Sequence, residues 1–299
     1  MPPAAAEIAF QNKQTVYALL MRAAAEALMR LAARRMSAQI GLIAVLHSWG
    51  QTLTHHPHVH CVVPGGGVSL DGQRWVACKP NFLLSVHALS RAFRRIFLDG
   101  MEAAFRRREL GFFGDMAPLV AAGAFAGRIR ALRKSSFVVY AKPPFGGPER
   151  VLAYLARYTH RTAIANSRLV AIDNDFVAFS YKDYRRAGRE GVMRLAPHEF
   201  IRRFLLHVLP DGFHRIRHYG FLAKGGRGSN LARVRDLLEH ETGDEPDDGA
   251  AATTEDEPTA RAPYPLAPCP DCGTAVRGKV RHSRRRSDWG WICRVFGWD

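Results

Sequence analysis

The stretch HHPHVHCVVPGGG, residues 55–67, limits the possible folds more than any other part of the sequence. A short apolar run with β-branched residues, placed between a proline and Pro-Gly-Gly-Gly, is typical of a buried strand. Successive side chains of a strand point to opposite faces, so His58 and His60 share one face. Two imidazoles in an apolar layer are costly unless a partner binds them, which favours a metal site; a polar histidine-rich turn is the alternative.

The residues after this pair argue against one kind of metal site. A hydrolytic zinc site of the His-x-His-x-Asp-His kind needs an aspartate two residues after the second histidine. Here Cys61, Val62 and Val63 follow His60. The second half of such a site is therefore missing.

A second informative stretch is YLARYTHR, residues 154–161, in which each of two tyrosines precedes an arginine by three positions. On a helix, residues four apart lie about 40° apart, so Tyr154 and Tyr158 point the same way. A packing stripe is the usual origin of such a pair. A tyrosine hydroxyl, a metal on the histidine strand and the guanidinium of Arg157 or Arg161 would, however, supply the nucleophile, the Lewis acid and the phosphate-holding cation that phosphodiester cleavage needs.

The charge balance favours a polyanionic partner. The 299 residues include 43 Lys and Arg against 27 Asp and Glu, which gives a formal net charge of +16 and a pI near 10.3. Nucleic acid is the first partner expected, because no apolar run approaches the ~20 residues that span a bilayer. The five cysteines have no framework spacing, which fits a reducing compartment, and we expect a cytoplasmic protein.

Composition divides the chain into three parts. Residues 1–238 are predicted to form the main folded domain, with helices from Thr15, over Leu89–Leu110 and from His198, and with strands from Ile40, His58 and Ser135 and a hairpin around Asn174. Residues 239–266 are predicted to be an acidic disordered linker, because residues 239–258 hold nine acidic residues and no Lys or Arg. Residues 267–299 are predicted to be a basic tail that contains cysteines.

Three stretches of the main domain resemble one known family, in the same order. They are HSWGQTLTHHPHVHCVVPGGG from His47, YAKPPFGGPERVLAYLARYTHR from Tyr140 and EFIRRFLLHVLPDGFHRIRHYG from Glu199. A histidine–hydrophobe–histidine strand followed about a hundred residues later by Tyr-x-x-x-Tyr resembles the HUH endonucleases with two tyrosines. The sequences of the three motifs are similar to those of the rolling-circle transposases of the insertion sequence 91 family, and the resemblance spans roughly residues 5–225.

This resemblance implies an α+β fold for residues 1–238, as an HUH transposase catalytic domain. A central antiparallel sheet is flanked by helices, with the histidine pair on a central strand and the tyrosine helix packed beside it. The resemblance also implies that Mg²⁺ or Mn²⁺ is held by His58, His60 and a third ligand. We favour His47 from the neighbouring strand as that ligand. The alternatives are Gln51, His55 and His56.

The activity that the resemblance implies is DNA transposition. Tyr154 or Tyr158 would attack single-stranded DNA at transposon ends or at the target, leaving a 5′-phosphotyrosine and a free 3′-hydroxyl, and the other tyrosine would act on the second strand. The residues predicted to contact DNA are Arg157, Arg161, Arg215 and Arg217. Two alternative functions are a replication initiator or relaxase with the same site, and a decayed, non-catalytic DNA-binding copy.

The sequence departs from the family pattern in its cysteines. Family members carry a cysteine-rich zinc-binding segment before the matching region, and the sequence has no such segment. Cys269-Pro-Asp-Cys272 resembles half of a zinc knuckle, but only Cys293 follows it, so cysteines alone cannot close a four-ligand site. We therefore expect no structural zinc in this chain.

Overall fold

The computed structural model describes residues 1–79, 82–142, 148–159, 163–183, 188–243 and 291–295. Its helices are α1 (Pro3–Gln11), α2 (Lys13–Met36), α3 (Val86–Arg106), α4 (Ala122–Lys134), α5 (Pro148–Thr159), α6 (Pro197–Leu205) and α7 (Arg227–Gly243). Its strands are β1 (Ala38–Gln39), β2 (Gly41–Trp49), β3 (His55–Val63), β4 (Gly66–Ser69), β5 (Trp75–Ala77), β6 (Val139–Ala141), β7 (Leu169–Ile172), β8 (Val177–Asp183), β9 (Arg189–Leu195), β10 (Ile216–Gly220) and β11 (Trp291–Val295). Short 3₁₀ helices cover Gly114–Val120 and Asn166–Arg168.

The described strands form three antiparallel sheets. The central sheet has the order β10-β2-β3-β11-β6, and the two smaller sheets have the orders β1-β4-β5 and β7-β8-β9. The histidine strand β3 is the middle strand of the central sheet. The predicted α+β class, with a central antiparallel sheet and flanking helices, is therefore confirmed.

Helices α2 and α3 cover one face of the central sheet. Alternate residues of β2 and β3 point toward these helices and are buried: Leu42, Ala44, Leu46, Val59, Cys61 and Val63. The helices contribute buried side chains such as Leu20, Leu28, Phe93 and Phe97 to the same core, and each burial contributes about 1.5–3 kcal/mol. Because strand side chains alternate, His47 of β2 and His58 and His60 of β3 lie on the opposite face of the sheet.

Several of the helices and strands lie where the local sequence predicts them. The predicted helix from Thr15 is α2, which ends at Met36 because Ser37 has a left-handed backbone with φ 52°. The predicted helix over 89–110 is α3, which begins earlier because the Ser85 hydroxyl accepts a hydrogen bond from the N–H of Ala88. The predicted hairpin around Asn174 is β7–β8, extended by β9 to a three-stranded sheet.

The C-terminal part of the chain contributes a strand to the central sheet. β11 lies between β3 and β6, with Cys293 opposite Cys61 and Arg294 opposite His60. Five residues of the predicted 267–299 tail thus belong to the sheet that carries the histidine pair. Helix α7 runs to Gly243, and the remainder of the predicted 239–266 linker lies outside the described residues.

Within the described residues, no helix is both long and apolar enough to cross a bilayer.

Gly220, the last residue of β10, offers a test of this fold. Its φ is +60°, and a Cβ at this position would run into the backbone of Ile40 and approach the Cα of Gly41 to 3.1 Å. Gly220→Ala is therefore expected to lower the free energy of unfolding by roughly 2–4 kcal/mol, from left-handed strain together with overpacking. The shift is measured as a lower urea midpoint.

Gly127 is the matched control for this substitution. It lies in α4 and is exposed, and a Cβ added to it would meet no atom within 4 Å. Gly127→Ala is expected to raise the free energy of unfolding by up to about 1 kcal/mol, because alanine favours the helix. An unchanged or higher urea midpoint for Gly220→Ala would contradict the placement of β10 against β2.

Candidate metal centre

Three histidines meet on the sheet face opposite α2 and α3. His47 lies on β2 and His58 and His60 on β3, and the antiparallel register places His47 directly opposite His58. One ring nitrogen from each imidazole lies within 4.8 Å of the others. The three side chains are only 1–3% exposed. The strand alternation predicted from HVH thus holds, and the neighbouring strand adds the third imidazole.

Aromatic stacking holds the rings of this triad together. The His47 and His60 ring centroids are 3.9 Å apart with an interplanar angle of 28°, and the His58 and His60 centroids are 4.9 Å apart. On its other side His47 stacks on Trp49, at 4.9 Å and 9°. A nearly parallel stack on a large ring restricts rotation of the His47 imidazole. Trp49 is not among the residues predicted for the site, although its position two residues after His47 places it on the same strand face.

The tautomer of His58 follows from its backbone partner. Nδ1 of His58 lies 2.8 Å from the carbonyl oxygen of His56, and a carbonyl oxygen can only accept. Nδ1 therefore carries the proton and donates, and Nε2 keeps its lone pair. Such an outer hydrogen bond is what orients metal-binding histidines in proteins. Three imidazoles converging in one buried place form a donor set that fits a divalent ion.

Tyr154 reaches this triad from α5. Its hydroxyl lies 2.5 Å from Nδ1 of His60, and the two ring centroids are 6.2 Å apart with an interplanar angle of 22°. Tyr154 is half-buried, whereas Leu152 on the same helix is 61% exposed. The helix therefore presents the tyrosine hydroxyl to the histidine face of the sheet and leaves much of its own surface open to solvent.

The other tyrosine and arginines of the YLARYTHR motif are not described to the same extent. The backbone of Arg157 and Tyr158 belongs to α5, but their side chains, and the whole of Arg161, lie outside the described part of the chain. Their roles as second nucleophile and as phosphate contacts stay predictions.

The alternatives for the third ligand lie elsewhere. Gln51 lies in the turn after β2, where its side-chain oxygen accepts from the backbone N–H of Lys182. Nε2 of His55 lies 2.8 Å from the hydroxyl of Tyr17, and burial lowers the pKa of His55 to about 3. His56 is a neighbour of His58, with ring centroids 5.5 Å apart. Among the described residues the converging cluster consists of His47, His58 and His60.

The two other arginines predicted to contact DNA lie on or beside β10. The carbonyl of Arg215 accepts from the N–H of Leu46, and burial lowers the pKa of its guanidinium. Arg217 pairs with Ala44 in register, which places it on the face covered by helices. Its guanidinium lies 4.8 Å from the ring centroid of Phe213. The sheet therefore separates Arg217 from the histidine triad, and DNA contact by either arginine stays a prediction.

The fold and the triad define an α+β protein with a histidine site that suits a divalent ion, and sequence comparison identifies the family. The model of a family described as "Putative transposase" (Y2_Tnp) matches residues 41–230. The chain belongs to this transposase family, which confirms the resemblance drawn from the motifs. The matched region contains all of β2, β3 and α5, and with them the triad and Tyr154.

Two curated relatives are similar to about four fifths of the chain. It is 58% identical over 240 residues to "Putative transposase y4qJ" of Sinorhizobium fredii (strain NBRC 101917 / NGR234), which is 80% of this chain and 60% of that protein. It is 27% identical over 237 residues to "Transposase for insertion sequence element IS801" of Pseudomonas savastanoi pv. phaseolicola, which is 78% of this chain and 55% of that protein. The aligned region thus spans a little over half the length of each relative. No solved structure matches the chain.

Proposed function

We propose that this protein is a DNA transposase that nicks single-stranded DNA through a covalent tyrosine intermediate, as an HUH endonuclease of the rolling-circle type. The observation that carries the proposal is the 2.5 Å contact between the Tyr154 hydroxyl and Nδ1 of His60, within a buried triad of imidazoles. Membership in a transposase family supplies the substrate class, which is DNA. A nucleophile beside a Lewis-acid site is what phosphodiester cleavage without ATP requires.

The triad His47, His58 and His60 would hold the divalent ion. When bound, the ion polarises the scissile phosphate and offsets the negative charge that develops on its oxygens. Of the two predicted ions, Mn²⁺ suits the site better, because Mg²⁺ prefers oxygen ligands and three neutral imidazoles offer only nitrogen.

His60 also orients the nucleophile. When Nε2 of His60 faces the ion, Nδ1 carries the proton and donates to the Tyr154 oxygen, which favours the phenolate. The contact holds the hydroxyl at the edge of the triad. Helix α5 supplies this geometry through Tyr154.

The chemical step is a transesterification. The Tyr154 oxygen attacks the phosphorus and forms a phosphotyrosine bond, while the bond from phosphorus to the 3′ oxygen breaks. The phenolic proton is lost and the leaving 3′ oxygen gains one, so the step consumes no net proton and no ATP. The free 3′-hydroxyl can prime replication, and the 5′-phosphotyrosine keeps the bond energy for strand transfer. Tyr158 would act on the second strand.

DNA binding beyond the site would come from the basic surface. The net charge of +16 predicts an affinity for single strands that falls steeply with salt, because each phosphate contact releases a counterion. Such a protein acts where the bacterial chromosome is, in the cytoplasm. No metal other than the ion of the triad is needed for this activity, and we expect no structural zinc.

The experiment that tests this function is adduct formation on labelled DNA. The protein is incubated with Mn²⁺ and a 5′- or 3′-labelled single strand that carries element ends, and the products are denatured and separated. We expect a covalent adduct with the 3′-labelled fragment and a released 5′-labelled fragment that ends in a 3′-hydroxyl. A protein that shifts the DNA in a native gel but yields no adduct is a DNA-binding copy, and that result would contradict the proposal.

A further inference from the structure

The turn that joins the two histidine strands has an unusual set of partners. It covers residues 50–54, and it is closed by hydrogen bonds from the N–H of Gly50 to the carbonyl of Thr54 and from the N–H of Leu53 to the carbonyl of Gly50. Leu53 has a positive φ of 59° and is fully buried. A left-handed leucine is strained, so the surrounding residues must hold the turn in place.

Three successive carbonyls of this turn accept hydrogen bonds from side chains of a distant part of the chain. Arg168 donates to the carbonyl of Gln51 at 2.5 Å, Arg203 to that of Thr52 at 3.1 Å, and His207 through Nε2 to that of Leu53 at 3.1 Å. These three side chains, named here the carbonyl clamp, come from the 3₁₀ helix before β7, from α6 and from the residues after α6. Hydrogen bonds from charged donors are stronger than neutral ones.

Each member of the carbonyl clamp is itself held. Arg168 also donates to the carbonyl of Ser180 at 2.7 Å and lies 5.7 Å from the ring centroid of Phe179. Arg203 donates to Glu199 at 2.7 Å. His207 is 2% exposed, and its Nδ1 lies 3.3 Å from the Ser48 hydroxyl. Because Nε2 donates to a carbonyl, Nδ1 is the acceptor of the Ser48 proton.

The turn leads to the triad through one side chain. Trp49 is the residue before the turn, and it packs against a small core that contains Leu53, Ala163 and Phe179. Its ring meets the edge of His207 at 6.1 Å and stacks on His47 at 4.9 Å. Trp49 pairs with His55 across a β-bulge, at the end of β2 where the turn begins. The Trp49 ring therefore contacts both His207 of the carbonyl clamp and His47 of the triad.

We propose that Arg168, Arg203 and His207 are positioning residues that set the metal affinity of the triad, by holding the 50–54 turn so that Trp49 fixes the His47 imidazole. This inference rests on the proposed metal site. Ligands must be held to within about 0.5 Å for tight binding, and supporting residues of metal sites are worth roughly 10–100-fold in affinity. The carbonyl clamp joins the β7–β9 sheet and α6 to the turn between the two histidine strands.

The test compares two adjacent arginines of α6. Both Arg202 and Arg203 donate to Glu199, but Arg203 reaches the Thr52 carbonyl. Mn²⁺ affinity of the full chain is measured by electron paramagnetic resonance without DNA. Arg203→Met is expected to weaken Mn²⁺ binding at least tenfold, Arg203→Lys to recover most of the loss through its ammonium donor, and Arg202→Met to stay within twofold of the unchanged protein.

A double-substitution cycle tests the route through Trp49. Trp49→Leu is expected to weaken Mn²⁺ binding, and adding Arg203→Met to it should cost far less than tenfold, because both act on His47. If Arg203→Met fails to fold, as judged by circular dichroism, Arg168→Lys and Arg168→Met are compared in the same way. The inference is overturned if the losses of Mn²⁺ affinity from Arg203→Met and Trp49→Leu add fully in the double variant. It is also overturned if Arg203→Met alone leaves Mn²⁺ affinity unchanged.

The outcomes separate this inference from the proposed function. If the unchanged protein binds no Mn²⁺, both the metal site and the carbonyl clamp inference fail. If it binds Mn²⁺ and the arginine variants bind it equally well, only the inference fails. Because no DNA is present, the result is independent of whether Tyr154 is a nucleophile.

Discussion

Replacing Tyr154 and Tyr158 together by phenylalanine is expected to reduce covalent adduct formation on single-stranded DNA to background. Phenylalanine keeps the ring but has no oxygen to bond to phosphorus, so the transesterification cannot begin. Of the two single variants, Tyr154→Phe is expected to lose more cleavage, because Tyr154 contacts His60 at the triad. Each single variant should leave some cleavage through the other hydroxyl. The measurement is the fraction of labelled DNA that stays with the protein after denaturation.

A matched control separates lost chemistry from lost folding. Tyr140 is 54% exposed on β6, and Tyr140→Phe also removes one hydroxyl from the same part of the chain. It is expected to form adduct at close to the unchanged rate, and all variants should keep the circular dichroism spectrum of the unchanged protein. Undiminished cleavage in the double variant would refute the assignment of both tyrosines.

Replacing His58 and His60 together by alanine is expected to remove metal-dependent cleavage and keep most of the DNA binding. Loss of the ion removes several kcal/mol of transition-state stabilisation, which corresponds to a fall of roughly 10³-fold or more in the cleavage rate. Binding of single strands comes mainly from the basic surface and should remain, with the same dependence on salt. Cleavage rates and salt-dependent binding curves are measured side by side.

The control for this variant is His87→Ala, which removes an exposed imidazole at the start of α3, away from the triad. It should change neither cleavage nor binding. An equal loss of DNA binding and cleavage in the His58 and His60 double variant would point to a structural role of the triad, and would contradict a catalytic metal site.

The parts of the site that are local in sequence could be predicted. The common face of His58 and His60 follows from the two-residue period of a strand, and the direction of Tyr154 follows from the period of a helix. Neither the strand period nor the helix period predicts which helix packs against which strand. The contact between α5 and β3 joins residues 94 positions apart, and before the structure only the motif resemblance pointed to it.

Long-range contacts account for what the sequence did not reveal. The stack of Trp49 on His47 lies beside a β-bulge between β2 and β3, and no local sequence pattern predicts that bulge. The donors Arg203 and His207 lie more than 150 positions from the carbonyls they bind, and the sequence around Arg203 predicts only a basic amphipathic helix. The strand β11 is short and follows a segment rich in arginine, so composition indicated a tail and gave no sign of its place beside β3.

The most direct test of the account is to identify the residue that carries the nucleotide. Trypsin cuts after Arg150, Arg157 and Arg161, so Tyr154 is released in VLAYLAR and Tyr158 in YTHR. After reaction with Mn²⁺ and a single strand, nuclease trimming and mass spectrometry should find the nucleotide mass on VLAYLAR, and on YTHR only as the second site. Nucleotide found only on YTHR, or on neither peptide, would contradict the claim that Tyr154 beside the histidine triad is the nucleophile.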